Sequence, residues 1–241
     1  MSEPYAPRPQ AGHRDAAAGS LSLSRPTIVF LLAVPLAWAV LLLFHPSGDG
    51  KQIYLDLQDN VTAMLVVHIG MMLFIPLIAA AVYLLLRGVD GTAAQISRIV
   101  LVPFVILYGV WEALQGIATG ILASEVNGLS GAERTTGAEL IQDFAENPLV
   151  RDAGVLSSLG SIAFITAAIA AGIALRRNAG APVSVAVLLG LSGFLITAHP
   201  PPFGPTGLAL FMAAVLLLVR SGSSARAPTP IGQPVPPGSA A

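Results

Sequence analysis

The chain contains no cysteine, which excludes a disulfide framework and thiolate metal ligands. Charge is scarce too: Asp, Glu, Lys and Arg make up 10% of the 241 residues, and aromatic residues 6%. With a formal net charge of −1 and no dense basic cluster, the sequence offers no surface for nucleic acid. Also missing are a phosphate-binding glycine loop, a His-Glu-x-x-His zinc motif, a serine nucleophile elbow and a calcium loop. Enzymology of the soluble kind has no support here, and the chain reads as non-enzymatic.

What is abundant is apolar sequence. Hydrophobic residues account for 54% of the chain, and the mean hydropathy is +0.76. A bilayer core needs roughly 20 apolar residues of helix to cross it. Six segments meet or approach that length: 26–44, 61–86, 99–123, 154–175, 182–198 and 205–219. The last two are the shortest, at the low edge of the spanning range. Strands of a transmembrane barrel alternate apolar and polar residues, whereas these runs are continuous. The expected fold is therefore all-α, a polytopic membrane bundle of six transmembrane helices with the lipid bilayer as its main partner. The first segment has too long an apolar run for a secretory signal and no small-residue cleavage site after Phe44, so it reads as a retained anchor.

Basic residues set the expected orientation. Arg8, Arg14, Arg25, Arg87, Arg98, Arg176, Arg177, Arg220 and Arg226 fall on one side, and only Lys51, Arg134 and Arg151 on the other. By the positive-inside rule both termini are cytoplasmic. The preference for arginine over lysine, with abundant Ala, Gly, Leu and Val, points to a GC-rich bacterial genome and so to a bacterial plasma membrane. Residues 1–22 and 221–241, rich in Ala, Pro, Gly and Ser, read as disordered cytoplasmic tails. The loop 124–153 is the one sizeable extramembrane element. Within it, 132–146 is expected to form an amphipathic cap helix with Ala138, Leu140, Ile141 and Phe144 as its apolar residues, ended by Asn147-Pro148.

Against this background, ionisable groups inside apolar runs stand out, because a charge near the bilayer centre costs on the order of 3 kcal/mol. Counting along the helix rise from Asn60 puts His68 roughly 12 Å below the outer surface. The same reckoning from Arg98 puts Glu112 roughly 9 Å below it. Consecutive antiparallel spans bring the two within reach of each other. Tyr108, Glu112, Gln115 and Thr119 recur at helical spacing, which predicts a polar stripe turned away from lipid. Gly116 and Gly120 form a small-residue pair suited to close helix approach. His68 is flanked by Met64, Met71 and Met72, and imidazole with thioether is a donor set for copper or haem iron. Methionine also fills helix interfaces adaptably. His45 and His199 each precede proline at a span end, where imidazole can bond the last carbonyls, and they read first as helix terminators. Pro76 and Pro103 can open space between the second and third spans.

The resulting expectation is a small binding or sensing protein with an outward-facing polar pocket. Its candidate ligand- or proton-binding residues are His68, Glu112, Gln115, Tyr108 and His199, and its candidate metal ligands His68, Met64 and Met72. A proton-coupled carrier, a haem- or copper-binding redox protein and a structural partner, in a homo-oligomer or with another membrane protein, are the alternatives.

Overall fold

The computed structural model describes residues 23–46, 48 and 50–224. The expectation of disorder at 1–22 and 225–241 lies outside these residues. Residues 221–224, expected to begin the second tail, instead continue the last helix.

Ser24 starts the first helix by accepting a hydrogen bond from the Thr27 amide at 3.4 Å, with Pro26 in the first turn, where its missing N–H costs nothing. This is α1 (Arg25–Leu42). A short α2 (Ile53–Leu57) precedes α3 (Val61–Leu85). Then α4 (Thr92–Glu112) runs without a break through a π-helical turn (Ala113–Ala118) into α5 (Thr119–Asn127). The remaining helices are α6 (Gly131–Ala145), α7 (Val155–Asn178), α8 (Val183–Thr197) and α9 (Phe203–Ser224). No strand occurs among the described residues.

Five helices are long and apolar enough to cross a membrane: α1, α3, the continuous Thr92–Asn127 helix, α7 and α9. At 15 residues, α8 is apolar but shorter. Exposed aliphatic side chains such as Val29, Leu73, Ile99 and Ile106 cover the outside of these helices, as a membrane-embedded protein requires. The third apolar segment begins at Thr92 rather than Ile99, because 92–98 wind into helix instead of forming a loop. In α6 the inward side chains are Ile141 and Ala145, while Leu140 is 63% exposed, contrary to expectation. This helix packs on α5 and α2.

The long helices close into a ring. Each of α1, α3, α4, α7, α8 and α9 packs against its predecessor, and α9 returns to pack against α1. Small residues bring the backbones together, since apolar burial gives no net drive for helices to associate in lipid. The α4–α7 contact is the most extensive. Gly160 lies under Tyr108, the Phe104 and Phe164 rings meet tilted by 33° with centroids 4.4 Å apart, and the Ser97 hydroxyl donates to the Ala167 carbonyl at 2.8 Å. Between α7 and α8, a methyl group on Gly172 would lie 2.8 Å from the Ala186 Cα. Gly172→Val should therefore destabilise the detergent-solubilised protein by about 1 to 3 kcal/mol through overpacking. Thermal unfolding checks this, with Gly190→Ala as the control, because its nearest atom, Ile169 Cγ1, is 3.6 Å away and little should change.

Charge divides between the two ends of the ring. At one end Arg98 donates to the Leu86 and Val89 carbonyls at 2.8 and 2.9 Å, capping the exit from α3, and Arg176 donates to Ala181. The other end carries α2, α6 and the loop before α7, and it is here that the buried ionisable groups gather.

Candidate metal centre

Four segments distant in sequence meet at the α2–α6 end. His45 follows α1, His68 projects from α3, Glu112 is the last residue of α4, and His199 follows α8. Closure of the ring brings them into one place. The imidazole centroids of His45 lie 5.0 Å from those of His68 and 4.9 Å from His199. One ring nitrogen of each histidine lies within 4.8 Å of the others. His68 and His199 are 2% and 6% exposed and Glu112 1%.

The hydrogen bonds fix which nitrogens face inward. A carbonyl can only accept, so His45 Nδ1 donates to the Pro46 carbonyl at 2.6 Å and His68 Nδ1 donates to the Met64 carbonyl at 2.8 Å. Tyr108 donates its own proton to the Thr197 carbonyl at 2.9 Å, so its oxygen accepts from His199 Nδ1 at 3.3 Å. Each Nδ1 is thus committed to a protein partner, and each Nε2 is left with a lone pair. His45 Nε2 and His199 Nε2 are only 3.2 Å apart. Two nitrogens bound at about 2.05 Å to one tetrahedral ion stand about 3.3 Å apart. Histidine ligands with the other nitrogen engaged by a carbonyl or hydroxyl are the ordinary second-sphere pattern of metal sites.

Glu112 supplies the opposite charge. Its Oε2 is 3.7 Å from His68 Nε2 and its Oε1 is 3.7 Å from His199 Nδ1. Neither carboxylate oxygen has a hydrogen-bond partner among the described residues, and the same holds for Gln115 Oε1. An unpartnered buried acceptor costs about 1 to 3 kcal/mol. A cation between the imidazoles and the carboxylate would remove that cost.

Local packing brings these groups close. Directly after Glu112 the helix widens into the π turn, and the Thr119 hydroxyl donates five residues back to the Leu114 carbonyl at 3.3 Å. Gly116 in that turn faces the His68 ring, and a methyl group there would lie 1.9 Å from His68 Cδ2. Trp111 closes the far side. Its ring centroid is 5.4 Å from that of His199, and its indole N–H donates to the Val150 carbonyl at 2.7 Å, tying down the loop before α7. At His45, burial disfavours the protonated ring, and the Pro46 carbonyl and the nearby Asp152 oppose this.

Of the residues singled out from sequence, His68, Glu112, His199 and Tyr108 share this cluster. Gln115 lies in the adjoining π turn. Two candidate ligands stand differently. Met72 is 37% exposed on the surface of α3, and Met64 packs with Tyr54, Leu57, Ala123, Val126 and Ile141 while lending its backbone carbonyl to His68. The sequence reading missed His45 as a ligand candidate. Its signals were the parallel between Phe-His-Pro and Ala-His-Pro at the ends of two spans and its place at the same end of the spans as His68 and His199. Compared with protein-family models, with curated proteins and with solved structures, the chain finds no match, so the chemistry of the centre rests on its own geometry.

Proposed function

We propose that this chain is a six-span plasma-membrane protein, both termini cytoplasmic and α6 lying over the outer end, that binds a divalent transition-metal ion. The ion is held by His45, His68 and His199 through Nε2, with Glu112 as the balancing charge. The protein acts as a binding or sensing protein. The observation that carries this reading is the convergence of one ring nitrogen from each of three histidines within 4.8 Å, every Nδ1 being engaged in a hydrogen bond, beside a buried carboxylate that has no hydrogen-bond partner among the described residues.

Imidazole and carboxylate suit borderline ions such as zinc, copper(II) or iron(II), whereas copper(I) favours thioether sulfur. Haem fits poorly, because it takes its axial nitrogens from opposite faces of the iron, whereas His45 Nε2 and His199 Nε2 stand 3.2 Å apart, the spacing of neighbouring ligands on one ion. A carrier needs a polar path to the far end. Toward that end the buried polar side chain among the described residues is Ser97, already bonded to the Ala167 carbonyl, while Ser192, within α8, is bonded to the Leu189 carbonyl of its own helix. In the proposed orientation the centre lies beneath the outer face.

The test is elemental analysis of the detergent-purified full chain beside His68→Ala. About one equivalent of a transition metal per chain, lost in the variant, is the expected result. A chain that takes up no metal after dialysis against zinc or copper, or metal content indifferent to His68, sinks the reading.

A further inference from the structure

Beside the centre, between the start of α7 and the end of α8, lies a cavity of about 480 Å³. Its lining includes Trp111, Asp152, Ser157, Ser161, Thr197 and His199. His199 is shared: it lines the cavity, and its Nε2 stands 3.2 Å from His45 Nε2 in the centre. Asp152 is exposed, whereas Ser157 is buried and donates to the Gly154 carbonyl at 3.2 Å, leaving its lone pairs to accept or coordinate.

Resting on the metal reading above, we propose that this cavity is the access route by which a hydrated divalent cation reaches the centre. Asp152 is the first carboxylate the ion meets, and His199 is the residue that receives it from the cavity. At about 30 Å³ per water molecule, the space holds roughly fifteen waters, more than an ion's first hydration shell. The hydroxyls of Ser157, Ser161 and Thr197 are oxygen donors that can replace waters as the ion sheds them. Among the described residues that line the cavity there is no lysine or arginine, and Asp152 is the one carboxylate. That charge pattern admits a cation and repels the phosphate of a lipid headgroup.

The experiment follows loading of the metal-stripped full chain in detergent with Co²⁺, read by stopped-flow absorbance of the bound ion. Asp152→Asn should load about tenfold more slowly at low ionic strength, with the gap closing in high salt as screening removes the attraction. Ser161→Trp, which fills the cavity, should load at least tenfold more slowly yet reach the same final spectrum. Native-rate loading in both variants overturns the route while leaving the centre intact. Faster loading in Asp152→Asn also overturns it. If Ser161→Trp does not fold, the exposed Asp152 variant decides alone. A native chain that takes up no Co²⁺ refutes the metal reading itself, a result distinct from any change in rate.

Discussion

Gly116→Ala should cost at least about 100-fold in metal affinity, the upper range for losing a group that orients a ligand. The added methyl would stand 1.9 Å from Cδ2, 2.1 Å from Cγ and 2.6 Å from Cβ of His68. These atoms belong to the body of the side chain, so no rotation of a flexible tip relieves the clash. Moving the ring breaks the Nδ1 bond to the Met64 carbonyl and swings Nε2 away from the other imidazoles. Alanine otherwise suits a helix better than glycine, so the helical circular dichroism should remain. Zinc titration against a competing chelator measures the loss. Native affinity in Gly116→Ala would mean that His68 is not a ligand.

Glu112→Gln should have two effects of opposite sign. Glutamine keeps the shape and removes the charge. At about 4 Å and an effective dielectric of 20, a unit charge pair is worth about 4 kcal/mol, so affinity for a cation should fall by about a thousandfold. Without metal, the variant should unfold at the native temperature or above it, because a buried carboxylate with no hydrogen-bond partner, only 3.7 Å contacts to two imidazoles, has been removed. The native chain should gain about 2.7 kcal/mol at a zinc concentration 100 times the Kd, and Glu112→Gln far less at that concentration. Thermal unfolding with and without zinc separates the possibilities. A purely structural acid would instead lower metal-free stability on substitution and leave the zinc response unchanged.

The apolar runs and their continuity were legible in the sequence, because lipid imposes length and composition on every helix that faces it. The meeting of two side chains was legible as well: rise per residue put His68 and Glu112 at similar positions along neighbouring helices, and they lie 3.7 Å apart. Lateral arrangement was not. The sequence contains nothing local that returns α9 to α1, so the approach of His45 to His199 could not be read from it. The π turn was equally hidden, and so was the tight packing of its Gly116 against His68, a side chain from another helix. Azimuth was equally beyond the sequence: a spacing of four residues puts Met72 near the face of His68, yet Met72 is 37% exposed.

The ring also has an order in time. His45 leaves the ribosome among the first described residues and His199 near the last, 154 positions later, and their meeting depends on the seam where α9 closes on α1. A bundle still lacking its final hairpin has one imidazole too few. An ion seated across that seam would act as a clasp joining the beginning of the chain to its end, and its presence would report that assembly is complete.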